Sequence, residues 1–262
     1  MSNEVAMFID LENLRYGLLN NYGQEPNFVH LVDKAKKYGR PSMMRAYADF
    51  SEHPSEMSRQ LQVVGIEAIN IPVKRVSVTK PTGVVERVKN AADMVLALDA
   101  ITEALAADMS QKVKIFLIVT GDRDYIRLVT LLRNRFGQRV IVCGVPGCVS
   151  SDLEAAAGGE TDHVEVTPTE PIDMQLLKSA LVAMVRRGPS PLIYWTVKVI
   201  DQWAQTPKQS VPGTAKERRD GINQLLDEGV LVRQLRCDPK RGQVTEVILD
   251  EEKAKGRKYI TK

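Results

Sequence analysis

Short apolar runs rich in β-branched residues alternate, along the first 166 residues, with segments in which apolar residues recur every three or four positions. The runs predict strands at residues 5–9, 43–50, 66–73, 113–120 and 140–145, with a short sixth at 163–166. The segments between them predict helices at residues 27–38, 54–64, 91–107, 124–136 and 152–157. Such alternation favours an α/β fold with a mostly parallel sheet flanked by helices, here at residues 1–166.

The pattern changes after residue 166. Pro168 and Pro171 favour an extended linker at residues 167–172. Amphipathic segments then predict helices at residues 173–186, 192–203 and 214–228, and two strand-like runs flanking turn residues predict a hairpin at 230–249. Three helices followed by a hairpin are the order of a winged helix, so we expect a small α+β domain at residues 173–250. The charged residues 251–262 predict a frayed tail.

Composition places the chain among ordinary globular proteins. Its 262 residues are 44% apolar, and no apolar run approaches the roughly 20 residues that span a bilayer. The three cysteines are scattered, which fits a reducing compartment and gives no zinc-ligand spacing. The first residues lead directly into a strand pattern without a leader sequence. We therefore expect a cytoplasmic protein without a membrane partner.

The net charge of +3 is unevenly distributed along the chain. Residues 1–167 carry a net charge of −2, whereas residues 168–262 carry +5. A positive surface favours contact with polyanions. The second part of the chain is thus the better candidate for binding nucleic acid.

Carboxylates follow the strands of the first part. Asp10 comes directly after the first strand, Asp122 and Asp124 follow the apolar run 113–120, and Asp93 begins a helix. Parallel strands end at a common edge, where α/β sheets place their ligands, so these acids are expected to converge on a hard cation. Each acid alone also suits a helix N-cap or a helix start. Jointly they favour the cation, because clustered carboxylates repel one another.

Three motifs resemble those of a known family. They are the segment 8–13 (Phe-Ile-Asp-Leu-Glu-Asn), the segment 89–99 with Lys89 and Asp93, and the segment 120–125 (Thr-Gly-Asp-Arg-Asp-Tyr). In order and approximate spacing they are similar to the core motifs of the NYN family of PIN-like nucleases, which include the LabA-like proteins. The chain departs from the commoner pattern at Asn90-Ala91 and at Thr120, where Gly-Val and Ser are usual.

The resemblance implies a PIN-like fold whose acids bind Mg²⁺ or Mn²⁺ and cleave RNA. It assigns the metal and the catalysis to Asp10, Asp93, Asp122 and Asp124, with Asn13 and Thr120 beside them as substrate contacts. A carboxylate-bound cation can activate water and neutralise the charge that develops on a phosphodiester, which agrees with this assignment. Asp99 is a weaker candidate ligand, and Ser150, Ser151 and Asp152 suit either this edge or a helix cap.

Basic residues outside the acid cluster predict the RNA contacts. Residues 74–83 suggest a basic loop that leads toward the acids, and Lys80, Arg87 and Lys89 are its candidate phosphate ligands. In the second part, the candidates are Lys216, Arg218 and Arg219 on the third helix, with Lys240 and Arg241 at the hairpin tip. A protein-binding role for this domain stays open, with Tyr194, Trp195 and Trp203 as exposed anchors instead of core residues.

The sequence therefore predicts a metal-dependent ribonuclease, expected to be an endoribonuclease, with single-stranded or structured RNA as its partner. A non-catalytic RNA-binding module on the same fold is the main alternative. A haloacid-type phosphatase fits poorly, since its Asp-x-Asp motif would fall on Asp10-Leu11-Glu12. DNA as a further substrate and association into a homo-oligomer both stay open.

Overall fold

The protein is described here by a computed structural model that covers residues 3–80, 83–89, 91–110, 113–167, 172–188, 200, 203–204, 211–238 and 242–260. Contacts divide the chain into two compact units, residues 1–18 with 24–167 and residues 19–23 with 168–262. In the part described, no helix has the length and apolar character to cross a membrane.

The described residues of the first unit form the strands β1 (Glu4–Asp10), β2 (Arg40–Ala48), β3 (Glu67–Asn70), β4 (Lys74–Lys80), β5 (Gly83–Lys89), β6 (Ile115–Val119), β7 (Arg139–Gly144) and β8 (Thr161–His163). Its helices are α1 (Leu11–Tyr22), α2 (Phe28–Tyr38), α3 (Glu56–Val63), α4 (Ala92–Met109), α5 (Ile126–Asn134) and α6 (Ser151–Ala156). Single 3-10 turns occur at Phe50–Glu52 and Arg123–Tyr125.

Six of these strands form one parallel sheet in the order β3-β2-β1-β6-β7-β8. The central strands β1 and β6 are buried almost throughout, which explains their continuous apolar sequences. Phe8 on β1 stacks between Tyr47 and Phe116, with ring centroids 6.5 and 6.0 Å away. The predicted parallel α/β fold is confirmed, and all six strands end at the edge that carries Asp10.

Alanines allow helix α4 to pack closely against this sheet. Ala92, Ala100 and Ala104 are buried together with Leu96, and all four belong to the main core cluster. The spacing of these residues follows the helical period, which is why the helix was predictable from the sequence. Its first turn carries Asp93. The packing of α4 against the core thus positions Asp93, which is itself exposed.

Two elements of the first unit differ from the sequence prediction. Helix α1 was not predicted, although Leu11, Leu14 and Leu18 recur at helical spacing and are buried. The basic segment 74–83 is not a loop: β4 and β5 pair as an antiparallel hairpin whose register places Lys74 opposite Lys89. A Pro-Thr-Gly turn between two β-branched runs is a hairpin signal that the prediction overlooked.

The second unit has its own core, described here from helices α7 (Met174–Arg187) and α8 (Ala215–Asp227), strands β9 (Leu231–Asp238) and β10 (Gly242–Leu249), and helix α9 (Glu251–Gly256). Strands β9 and β10 form the predicted antiparallel hairpin. The predicted linker residues 168–171, most of the predicted helix 192–203 and the hairpin tip 239–241 lie outside the described residues. The winged helix therefore stays a prediction.

The prediction of a frayed tail is wrong. Helix α9 begins with Asp250, whose side chain accepts a hydrogen bond from the N–H of Lys253. Ala254 is fully buried and Tyr259 is 7% exposed within the second core. Tyr259 also donates a hydrogen bond to Glu228, 2.8 Å away. High charge misled the prediction, because the few apolar residues of the tail are those that pack.

Candidate functional site

Asp10 lies at the end of β1, at the carboxyl edge of the sheet, and only 7% of its surface is exposed. Its Oδ1 accepts a hydrogen bond from the backbone N–H of Asn13 at 3.1 Å. Its Oδ2 accepts one from the hydroxyl of Thr120 at 3.1 Å. The first bond is the helix-capping role that the sequence left open. The second joins the carboxylate to the end of β6, so Asp10 is both a cap and part of an inter-strand cluster.

Hydrogen bonds join the segments that follow β1 and β6 beside Asp10. The side-chain oxygen of Asn13 accepts a hydrogen bond from the N–H of Gly121 at 2.8 Å, and the Thr120 hydroxyl accepts one from the N–H of Asp122 at 3.2 Å. A Cβ on Gly121 would lie 2.4 Å from the carbonyl oxygen of Cys148, so no larger residue fits there. These contacts fix the loop that presents Asp122.

Thr120 and Asn13 therefore have different surroundings from those expected of substrate contacts. Thr120 is 1% exposed, and its hydroxyl is shared between Asp10 and Asp122. The predicted contact of Thr120 with substrate stays a prediction, and the structure shows this hydroxyl supporting the two acids. The amide oxygen of Asn13 is occupied by the loop backbone. Both side chains shape the acid cluster from within.

Asp122 and Asp124 lie at the 3-10 turn that follows β6. The side chain of Asp122 accepts a hydrogen bond from the N–H of Asp124 at 3.0 Å and so caps the turn. Asp122 is partly buried, whereas Asp124 is exposed. The more exposed carboxylate is the better placed of the two to meet solvent and substrate.

Tyr125 connects this turn to helix α4, and the sequence analysis gave it no role. Its ring is buried, and its hydroxyl donates a hydrogen bond to Oδ1 of Asp93 at 2.9 Å. Burial, followed by the charges of Asp10 and Asp93, raises the pKa of Tyr125 far above its ordinary value. The tyrosine thus stays protonated and can hold Asp93 in place. Its position directly after the Asp-x-Asp motif was the available signal.

Among the described residues, the charged groups that shift the pKa of Asp10 are acidic. Burial, and then the charges of Asp93 and Glu12, raise its pKa from 3.8 to about 7. Only the Asn13 N–H and the Thr120 hydroxyl oppose this shift. A buried carboxylate surrounded by other carboxylates favours either a proton or a cation. The site is thus suited to bind a positive ion.

The donor set is compatible with Mg²⁺ or Mn²⁺ only in an open arrangement. Within the described residues, no three His, Cys, Asp or Glu side chains lie together closely enough to hold a metal ion. The four predicted ligands therefore do not form a preassembled cage. Mg²⁺ commonly takes only one or two carboxylates and keeps several waters, and all the donors here are hard oxygens. On these grounds Asp10 and its neighbours fit the ion.

The structure assigns several other candidates to structural roles. Asp99 accepts hydrogen bonds from Arg45 at 3.0 Å and from Tyr47 at 2.9 Å. Its carboxylate therefore joins helix α4 to strand β2. Ser150 is the N-cap residue of α6 but makes no side-chain cap bond, and Ser151 and Asp152 are exposed in the first turn of that helix. None of these residues is brought into the acid cluster by a hydrogen bond that the structure describes.

The predicted phosphate ligands fall into two groups. Lys80, Arg87 and Lys89 lie on the β4–β5 hairpin, for which the backbone alone is described. In the second unit, Lys216 and Arg219 are exposed on α8.

Arg218 is the exception on that helix. It is 7% exposed, and its guanidinium donates to the carbonyl of Gly213. Its guanidinium is thus engaged inside the second unit, and its predicted contact with substrate stays a prediction. Lys240 and Arg241, like Tyr194 and Trp195, lie outside the described residues, and Trp203 is partly buried against the second core.

A parallel α/β sheet with clustered acids at its carboxyl edge defines a Rossmann-like protein of the PIN-like class. The sequence matches the NYN domain family over residues 4–163, more than half of the chain, and the chain belongs to that family. Among solved structures, it is similar to a protein of unknown function from Vibrio parahaemolyticus, with 23% identity and a TM-score of 0.51. That similarity covers 63% of this chain and 94% of the other, and it shows the fold alone. No curated protein matches the sequence.

Proposed function

We propose that this protein is a metal-dependent ribonuclease whose centre is formed by Asp10, Asp93 and Asp122, with Asp124 at its exposed side. The NYN family supports a PIN-like nuclease fold for residues 4–163. The observation that carries the proposal is the state of Asp10, a buried carboxylate with a pKa near 7 and acidic neighbours. A divalent cation there would compensate the repulsion that the fold otherwise tolerates.

Each acid has a separate task in this proposal. When bound, Mg²⁺ or Mn²⁺ would lower the pKa of a water molecule and neutralise charge on the phosphodiester. Asp10 and Asp122 would hold the ion from the ends of β1 and β6, and Asp93 would do so from α4. Tyr125 keeps Asp93 oriented through its 2.9 Å hydrogen bond. Asp124 is exposed and is the candidate for orienting the attacking water.

The proposal extends to RNA as the preferred substrate. Support comes from the family and from the +5 charge of residues 168–262, since cations near a phosphate backbone supply most of non-specific affinity. The β4–β5 hairpin adds Lys74, Lys80 and Lys89 on a segment that leads directly into α4 and Asp93. DNA remains a second substrate for the same chemistry.

One assay tests the activity. End-labelled single-stranded RNA and DNA of the same sequence are incubated with purified protein in Mg²⁺, in Mn²⁺ and in excess chelator. We expect RNA to be cut in the presence of either ion and to stay intact in chelator, because water activation and charge neutralisation both need the ion. RNA cleavage that continues undiminished in chelator would refute the proposed centre.

A non-catalytic RNA-binding function is the second candidate. The observation that favours it is that no group of three metal-ligating side chains is preassembled in the described part of the chain. The same assay separates the two functions. RNA that is bound, yet is cut in neither Mg²⁺ nor Mn²⁺, would support the binding module and reject the enzyme.

A further inference from the structure

A groove of about 390 Å³ lies between helices α4 and α5. Its α4 side consists of Met94, Ala97 and Ile101, and its α5 side includes Leu128 and Leu131. Met94 is 67% exposed and so presents apolar surface beside the acids. The volume is within the range of small-molecule sites, and the walls are mainly apolar. The groove can therefore accept a flat, uncharged ring.

The same groove opens onto the proposed catalytic centre. Asp93 and Asp124 line one end of it, together with Tyr125. A group that occupies the groove would thus be the immediate neighbour of a phosphate held at the acids. In a polynucleotide, the immediate neighbours of each phosphate are a ribose and a base. This adjacency selects a nucleotide over an unrelated apolar ligand.

Arginines continue from this end along the outer side of α5. Arg123, Arg127 and Arg135 are exposed: Arg123 lies in the 3-10 turn before α5, Arg127 in its first turn and Arg135 at its C-cap. Arg127 and Arg135 are eight residues apart in helical conformation and therefore lie on one side of α5. Arg127 lines the groove, and a second cavity of about 380 Å³ runs on between Arg127 and Arg135. Eight residues of helix separate these two arginines by about 12 Å. Within the described residues, none of the three arginines makes an ion pair.

We infer that the α4–α5 groove and this arginine ridge form the path of a single-stranded RNA. The base next to the scissile phosphate lies in the groove, and the following phosphates contact Arg127 and Arg135. A base in the groove cannot be paired, so this path requires an unpaired strand at the groove. The inference rests on the proposed ribonuclease function. It adds which surface contacts each part of the RNA: the apolar groove contacts the base, and the arginines contact the phosphates.

The first test measures the arginine ridge by binding, so that it does not depend on cleavage. A fluorescent 12-nucleotide RNA is titrated in chelator at several salt concentrations with the full chain, with Arg127→Ala/Arg135→Ala, and with Arg40→Ala. Arg40 is equally charged but begins β2, at the opposite edge of the sheet. We expect the double variant to lose about 1.4 from the log–log salt slope and to bind roughly tenfold more weakly at 0.1 M salt. Equal slopes for the double variant and the Arg40 control would overturn the inference.

The second test measures the groove. Met94→Ala is compared with Leu105→Ala, which shortens another exposed apolar residue of α4 that does not line the groove. We expect Met94→Ala alone to weaken binding several-fold, and to do so less for an RNA that is abasic at the position next to the cut. Duplex RNA should bind more weakly than the single strand.

Three results would reject the groove. They are equal effects of the two α4 variants, equal binding of duplex RNA, or dissociation of a dimer by Met94→Ala, which would assign the surface to a second copy of the chain. Because both tests are binding measurements in chelator, an absence of cleavage by the parent protein would reject the ribonuclease proposal alone. The measured RNA affinities would then still decide whether the inferred RNA path is correct.

Discussion

The carboxylate of Asp10 has three roles: it caps helix α1, it is hydrogen-bonded to the end of β6, and it carries a charge that burial disfavours. Its two oxygens accept hydrogen bonds from the N–H of Asn13 and from the hydroxyl of Thr120. An asparagine can keep the first bond through its amide oxygen, and its amide N–H can donate to the Thr120 oxygen in place of the second. The raised pKa of Asp10 means that the folded state binds a proton more tightly than the unfolded state does. Stability contributed by this proton is complete below pH 4 and is lost as the pH rises toward 7.

We therefore expect Asp10→Asn to stabilise the metal-free protein, and more so at high pH. The pKa of Asp10 is 3.8 in the unfolded chain and about 7 in the folded one. The free energy of unfolding of the variant should therefore exceed that of the parent by on the order of 2 to 3 kcal/mol more at pH 8 than at pH 5. Urea unfolding of both proteins in chelator measures the difference, since all other titrating groups are shared. Added Mg²⁺ should stabilise the parent but not the variant. An advantage that does not change with pH would contradict the assigned burial.

Asp122→Asn tests the other strand end. The amide can still cap the 3-10 turn by accepting the Asp124 N–H, so the fold should be retained. Removing the charge should lower RNA cleavage by orders of magnitude, because the amide is a poor ligand for the cation. Asp108→Asn is the matched control, an exposed acid near the end of α4. Parental cleavage rates in Asp122→Asn would show that the centre lies elsewhere.

At the residue scale, the sequence predicted the acids but not their supports. Carboxylates after apolar runs are visible in a one-dimensional pattern, because strand ends are visible. The contacts Tyr125–Asp93 and Asn13–Gly121 join residues 32 and 108 positions apart, and no local pattern encodes them. The surroundings of Arg218 were unpredictable for the same reason. Its sequence neighbours suggest a charged helix face, whereas its guanidinium donates to the carbonyl of Gly213.

At the element scale, predictions succeeded where a hydrophobic pattern continued without interruption through the whole strand or helix. The buried strands β1, β6 and β7 and the helix α4 are such elements. Helix α1 was missed because it follows β1 without a turn, so its leucines were read as part of the acidic strand end. Helix α9 was missed because six residues carry too little pattern to outweigh their charge.

The tail offers a prediction at this scale. Deleting residues 251–262 should destabilise the second unit by several kcal/mol, because it removes buried Ala254 and Tyr259 and uncovers the Lys178–Glu228 pair, 2.6 Å apart. Lys255→Ala, at an exposed position of α9, should have little effect. Both tryptophans of the chain lie in the second unit, so their fluorescence during urea unfolding reports on it. A deletion that leaves the unfolding midpoint unchanged would support a frayed tail after all.

At the scale of the whole molecule, the uneven charge suggests a division of labour between the units. A fragment of residues 1–167 contains the entire six-stranded sheet and its core cluster, so it should fold by itself. It should keep metal-dependent cleavage of short RNA, bind long RNA more weakly than the full chain, and show a shallower salt slope.

The exposed cations of α8 provide the matching variant in the full chain. Lys216→Ala/Arg219→Ala should reproduce part of the lost affinity without changing cleavage of short RNA. Arg218 is left unchanged, because its substitution would disturb the start of the helix. Equal affinities and salt slopes for the fragment and the full chain would assign the second unit to a partner other than RNA.

The pairing of β1 with β6 has a consequence for the protein during its own synthesis. Asp10 leaves the ribosome early, yet the Thr120 that holds it is 110 residues further along the chain, and Asp122 follows Thr120. Until β6 has emerged and taken its place beside β1, the acids are scattered over an unfolded chain that cannot concentrate a cation. The proposed ribonuclease centre would therefore form only after the sheet has closed, so the nascent chain would not cut the message that encodes it.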